Sequence, residues 1–287
     1  MAATSKAADA VWPGPSSAAA PSPPAWDVRE WVALEQMAEG FDEFCPPVSA
    51  GLEGHSQELE FSRGDGDWAP GGVEFGGGEL RLSAPGALPG AGRQAAGPAR
   101  VYEMAPDLFF VHATIAEREI LSFAYDAASG VLVGAFGVLG IEPNPTHVKQ
   151  FWLHGRRPGG PAAARTDEMV GRRIRYRYSS DDVYDHIYLS ADRYTWFCVS
   201  GAEAGEGDTD KCQMWRLRDG IVLFSWLEKI LGVEGMVLVN FNTLRSVGLQ
   251  FAVDQFSGAV VNLAMGAHAL PVSTTPPLAR ADPRPPA

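Results

Sequence analysis

Short runs rich in Val, Tyr, Phe and Trp recur along this chain, and each is closed within a few residues by Gly, Asp or Asn. Ser56–Ser62, Glu79–Ser83, Leu108–Ala113, Ile120–Tyr125, Arg172–Tyr178, Val183–Ser190, Arg193–Ser200, Ile221–Leu227 and Met236–Phe241 are of this kind. Such runs read as strands that bury one face or both. Nothing between them has the length and 3.6-residue periodicity of a crossover helix, so parallel βαβ units are excluded and the fold is expected to be antiparallel all-β. One short helix is expected near the start. Asp27 can cap a segment in which Trp31, Leu34 and Met37 fall at helical spacing, and Gly40 can end it.

A weak internal repeat sets the architecture. At an offset of 114 positions Phe110 meets Phe224, Phe123 meets Val237, Tyr125 meets Val239 and Gly134 meets Gly248. A Gly/Pro/Ala stretch at 156–164 falls between the two halves. Two related β-barrels follow, since closing a sheet on itself removes exposed edges. The expected organisation is a disordered tail over 1–25, a barrel over 26–155, a linker over 156–168, a barrel over 169–271 and a second disordered tail over 272–287. Both tails are Ala/Pro-rich segments with too little apolar surface to offset the entropy of ordering. The run Pro85–Pro98 is expected to be a long loop, and Gly76–Gly78 a turn.

With 287 residues, 46% of them hydrophobic and 20% charged, the chain can build a sizeable core. Its net charge of −12 argues against nucleic-acid binding. The acidic excess sits over residues 26–160, with 9 basic against 19 acidic side chains. No apolar run approaches membrane-spanning length, so no membrane partner is expected. Cys45, Cys198 and Cys212 are an odd number without paired spacing, which speaks against a disulfide framework or a zinc site. No secretory h-region is visible, and the expected location is cytoplasmic. The oligomeric state stays open.

Reactive side chains concentrate between Tyr184 and Lys229. Period-2 alternation groups Tyr184, His186 and Tyr188 on one face of the first strand, and Tyr194, Trp196 and Cys198 on one face of the next. A hairpin with the odd loop Ser190–Asp192 would pair Leu189 with Arg193, His186 with Trp196 and Tyr184 with Cys198. A two-residue turn at Ala191-Asp192 would instead slip the register and separate the sets. Asp219-Gly220 is a two-residue hairpin signal that pairs Arg218 with Ile221, Trp215 with Phe224 and Gln213 with Trp226. Trp226 and Glu228 then share a face, and Asp210 lies in the preceding loop. A barrel interior with Tyr188, Tyr194, Trp196, Cys198, Asp210 and Trp226 as contacts could hold a small organic ligand, expected to be aromatic. Glu228, buried beside Trp226, would have a raised pKa and could act as an acid, with His186 and Tyr184 as its catalytic neighbours. Ordinary barrel packing accounts for the same aromatic alternation. No metal site is indicated, and no nucleotide or hydrolase motif is present, so no cofactor is expected.

The words GRRIRYRYS (171–179), VYDHIYLS (183–190), RYTWFCVSG (193–201), DTDKC (208–212) and LFSWLEKI (223–230) resemble the MoaF family, named molybdenum cofactor biosynthesis protein F. NLAMGAHA (262–269), GFDE (40–43) and words within 109–130 extend the likeness over about residues 27–270. The resemblance implies two calycin (lipocalin-like) barrels. It also implies a likeness in fold to phenolic acid decarboxylases, in which tyrosines and a glutamate hold and protonate a hydroxycinnamate. Two family cations are missing: Leu227 stands where the family has an arginine, and Val247-Gly248-Leu249 loses a lysine. Those losses suggest a more apolar ligand. The first half has His112 where the second has Trp226 and lacks a comparable polar-aromatic set, so its barrel is read as structural.

Three functions fit: a MoaF-like binding protein accessory to molybdenum cofactor or molybdoenzyme biosynthesis, a cofactor-independent lyase or isomerase acting on an aromatic or polyketide-like metabolite, and a packed interaction module. In the second, Tyr184 and Tyr188 orient the substrate, His186 moves a proton and Glu228 is the acid.

Overall fold

The structure is a computed structural model and describes residues 32–64, 66–89 and 94–275. The segments 1–25 and 276–287, like Asp27 and Trp31 of the expected helix, lie outside the described residues. Strands β1 (Ser56–Ser62), β2 (Ala69–Gly76), β3 (Glu79–Ser83), β4 (Gln94–Ala105), β5 (Leu108–Ala116), β6 (Glu119–Asp126), β7 (Val131–Val138) and β8 (Lys149–Arg156) run up and down, and β8 returns to β1 to close a barrel. A two-residue strand β9 (Ala164–Arg165) follows. The second closed barrel is made by β10 (Arg172–Arg177), β11 (Val183–Ser190), β12 (Arg193–Ser200), β13 (Gly207–Arg218), β14 (Ile221–Leu227), β15 (Glu234–Asn240), β16 (Arg245–Val253) and β17 (Val260–Thr274). The protein is all-β, two antiparallel eight-stranded barrels in sequence. β4 takes up the second part of the expected Pro85–Pro98 loop, and residues 272–274 pair with β10 instead of forming a tail.

Two cores account for the two kinds of strand. The interior of the first barrel is filled by Leu59, Phe61, Val73, Phe123, Phe136 and their neighbours. The second core lies between the barrels, where Phe110, Ile120 and Val133 of the first meet Leu223, Leu238, Leu249 and Phe251 of the second. Strands at this junction are covered on both faces, which is why burial runs unbroken along β15 and nearly so along β7, whereas β3 alternates. Arg218 clamps the rim of the junction with a bidentate pair to Asp126 at 2.8 and 2.9 Å, and Asn240 donates to the Met104 carbonyl at 2.8 Å.

The 114-residue repeat is real in β6 and β7. A Cβ on Gly134 would collide with the Ser122 carbonyl and Phe123, and one on Gly248 would collide with the Met236 carbonyl and Val237. Both glycines let a neighbouring strand press close at the same place in each barrel. In β5 the offset fails by one residue. Phe110 faces the other barrel, while Phe224 faces its own interior among Tyr188, Tyr194 and His186. His112 likewise is not on an inner wall. It bridges Ser122 (3.1 Å) and Asn262 of the second barrel (2.7 Å) at the junction.

The helical segment is one turn, α1 (Leu34–Met37), preceded by extended Ala33 with no side-chain cap of its own. The Leu34 N–H is instead capped by Asp254, at 2.8 Å, from 220 positions away in the second barrel. Gly40, at φ +84°, follows the turn. This strap, Val32–Cys45, packs on the second barrel although it precedes the first in sequence. Gln255 donates to the Val32 carbonyl at 2.9 Å, the Gly266 N–H to Phe41 at 2.8 Å, and Arg245 to the Phe44 carbonyl at 2.5 Å.

Candidate functional site

The second barrel gathers its polar-aromatic wall by an unexpected route. Its β11–β12 turn is the two-residue Ala191-Asp192, with Ser190 opposite Arg193, so the expected odd loop and the Leu189–Arg193 pair do not form. A bulge at Leu189 then restores the register: Tyr188 pairs with Tyr194, His186 with Trp196 and Tyr184 with Cys198. At Asp219-Gly220, Arg218 does face Ile221, but a bulge at Leu217 shifts the rest. Met214 lies opposite Phe224 and Cys212 opposite Trp226, replacing the expected Trp215–Phe224 and Gln213–Trp226 pairs. Trp215 therefore turns outward onto Trp152 and His154 of the first barrel.

Inside, His186 is ringed by aromatic faces: Tyr176 at 4.5 Å, Tyr194 at 5.1 Å, Trp226 at 5.8 Å and Phe224 at 5.9 Å between centroids. Burial lowers its pKa to about 3, so the imidazole is neutral at physiological pH, and its Nδ1 has no hydrogen-bond partner among the described residues. Above it the aromatic hydroxyl and indole donors meet carboxyl groups. Tyr184 donates to Glu203 at 3.0 Å, Trp226 to Glu228 at 3.1 Å and Trp196 to Asp210 at 3.1 Å. Burial, against the Tyr184 hydrogen bond, raises Glu203 to about 7. Burial also raises Glu228 to about 8, opposed by the Trp226 hydrogen bond and helped by the charges of Asp210 and Glu203. Glu228 as a residue keeps some contact with solvent, but its carboxyl belongs to the cavity wall.

The mouth is closed by the strap. Phe41 stacks on Tyr178 at 4.5 Å and 11°, and meets Tyr184 edge-on at 5.6 Å. With Met37 beside it, Phe41 leaves an internal cavity of only about 30 Å³, room for water and not for an organic molecule. Gly235 lies under the indole of Trp226, where any Cβ would collide with the ring.

Tyr184, His186, Tyr194, Trp196, Trp226 and Glu228 line this cavity together. Three other candidates stand behind its wall. Tyr188 hydrogen-bonds Tyr176, hydroxyl to hydroxyl, at 2.7 Å. The Cys198 thiol donates to the Ser200 carbonyl at 3.3 Å, and its pKa is raised by burial. Asp210 accepts from Trp196 and, at 3.0 Å, from the Lys229 N–H, so it holds the wall in place. Sequence reasoning missed Glu203, Gln250, Met37 and Phe41. Tyr178 was legible, since it shares the alternating face of Ile174 and Tyr176. Glu203 sits in the glycine-rich loop after β12, where no periodicity marks it.

The two missing family cations do not bear on this cavity. Leu227 faces an outer cleft with Arg165 and Lys211, and Leu249 is in the core between the barrels. Those losses therefore do not make a ligand held in this cavity more apolar. Among the described residues no helix is long and apolar enough to cross a membrane.

Residues 29–140 match the MoaF N-terminal domain, and residues 163–275 match the MoaF C-terminal domain. Protein MoaF of Klebsiella aerogenes is 35% identical over 118 residues, which are 40% of this chain and 45% of that protein, so the match spans under half of the relative's length. A solved structure titled a putative beta-lactamase from Burkholderia vietnamiensis aligns over 38% of this chain and all of its own. Its identity of 11% and TM-score of 0.33 are too low to carry an argument.

Proposed function

As this chain belongs to the MoaF family, with both domains of that family present in order, we propose that it is a cytoplasmic small-molecule-binding protein whose site is the interior of its second barrel. The first barrel serves as a packed support. The observation that carries this reading is an unfinished polar set inside an aromatic-walled barrel: among the described residues, His186 Nδ1 and Gln250 Oε1 are buried without partners. A barrel evolved only to pack would fill that space, as the first one does with Phe123 and Phe136. Loading requires the strap to swing away, because Phe41 and Met37 leave too little room for an organic ligand. The accessory role in molybdenum cofactor or molybdoenzyme biosynthesis rests on the family resemblance alone. The experiment is native mass spectrometry of the purified full chain against its denatured mass. An excess of a few hundred daltons is expected, and a bare mass that no aromatic probe shifts, in the wild type or in Phe41→Ala, overturns the reading.

A second reading is favoured by Glu228. A carboxyl raised to about 8 is mostly protonated at neutral pH and can act as a general acid for a lyase or isomerase. The neutral His186 would then orient the substrate and accept a hydrogen bond, with no proton shuttled through it. Glu228→Gln abolishes turnover under this reading and leaves the melting temperature nearly unchanged. Under the binding reading no turnover exists to abolish.

A further inference from the structure

We propose that the second-barrel cavity is built for a small aromatic monocation, an arylalkylamine in class, and not for an aromatic carboxylate. The inference rests on the binding function proposed above and names its ligand class. Hydrogen-bond arithmetic comes first. The donors of Tyr184, Trp226 and Trp196 are already engaged by Glu203, Glu228 and Asp210. The groups left over can accept: the second oxygens of the two glutamates once they are ionised, Gln250 Oε1 and, in one tautomer, the Nδ1 of the neutral imidazole. The hydroxyls of Tyr178 and Tyr194 can turn either way. An ammonium that draws the two glutamates into their ionised form meets every one of these groups as an acceptor.

Charge points the same way. Among the described residues two carboxyl groups line the cavity and no Lys or Arg does. The nearby Lys229 is turned outside, its ammonium on Asp208 and the Thr209 carbonyl. A carboxylate ligand would be buried against two acids without a counter-charge, whereas an ammonium would meet both acids and the faces of Tyr184, Trp196 and Trp226. The ligand's ring has a ready place. Phe41 already shows that an aromatic ring stacks on Tyr178, and on loading the ligand ring replaces it.

The test uses three probes with one ring and different heads, benzylamine, benzyl alcohol and benzoate, titrated calorimetrically into the full chain and into Phe41→Ala. Benzylamine is expected to bind at least about tenfold more tightly than benzyl alcohol, with benzoate weakest, and more tightly to Phe41→Ala than to the wild type. At about pH 7.5, binding of the amine should release protons, because an ammonium draws both carboxyls toward their ionised form. The groups that face them are Tyr184 and Glu206 around Glu203, and Trp226, Asp208, Asp210 and Lys229 around Glu228. Glu203→Gln and Glu228→Gln should each weaken the amine and spare the alcohol, so misfolding of one variant leaves the other decisive. Equal or tighter binding of benzyl alcohol or benzoate overturns the cation proposal and leaves the binding function standing. Silence of all three probes in both proteins overturns the two together.

Discussion

The two barrels share strand number, order and even the close-packing glycines Gly134 and Gly248, yet their interiors differ in kind. The first is filled with Phe and Leu, and its one interior polar group of note, Tyr125, sits at an end where Gln57 (2.5 Å) and His55 (2.8 Å) satisfy it. The second places small residues on β15, Val237 and Val239 where the first has Phe123 and Tyr125, and Gly235 beneath Trp226. Space given up on that strand is taken by the aromatic wall of β11, β12 and β14. Shared architecture thus fixes the outside of each barrel, and a few size exchanges on one strand decide whether the inside is a core or a cavity.

Truncation should separate the two most strongly. Phe123→Ala empties the middle of a filled barrel and should cost about 3–5 kcal/mol in urea unfolding, while leaving ligand affinity intact. A loss below about 1 kcal/mol would mean the first interior is not the tight core described. Gly134→Ala and Gly248→Ala should each cost about 1–3 kcal/mol, and in similar measure, because each forces a methyl onto a neighbouring strand. Markedly unequal costs would break the structural equivalence of the barrels.

Tyrosine hydroxyls sharpen the contrast. Tyr184→Phe strips the buried Glu203 of its donor and should cost about 1–3 kcal/mol, against about 0.5–1.5 kcal/mol for Tyr125→Phe, whose partners can reach water. Titration probes the same buried groups. The native state holds Glu203 and Glu234 protonated up to about 7 and Glu228 up to about 8, mainly through burial. Between their unfolded values near 4.5 and those values the native state binds more protons, so their stabilisation fades as pH rises. His186 and His112, lowered to about 3 chiefly by burial, act oppositely, because only the unfolded state protonates between about 3 and 6.5. From about pH 4.5 to 6.5 the three carboxyls outweigh the two imidazoles by one proton, so stability falls gently there. Above that, stability should fall by about 1.4 kcal/mol per pH unit for each of Glu203 and Glu234 until each titrates. A stability that rises between pH 6.5 and 8 would contradict the buried, protonated carboxyls; urea midpoints across the range would detect it.

Much of the fold was legible because strand patterns are local. The alternation in Val183–Ser190 and Arg193–Ser200 placed Tyr184, His186, Tyr194 and Trp196 on one face, and those four line one cavity. The hairpin details were not legible. The bulges at Leu189 and Leu217 each insert a residue that no turn signal marks, and the second turned Trp215 out of the site. Strands buried on both faces, such as β7 and β16, carry no alternation by which to find them, and Gln250 was lost with β16.

What the sequence by itself determined is the all-β class, the pairing of two related barrels and the aromatic wall of the second, since all three follow from side-chain period and turn residues close in the chain. Only the tertiary structure decided that a segment ahead of the first barrel closes the second, that Glu203 joins Glu228 at its mouth, and that the missing cations face elsewhere. Those facts depend on contacts such as Asp254 with Leu34, 220 positions apart. No local pattern encodes such a contact, because its energy exists only once both barrels have closed.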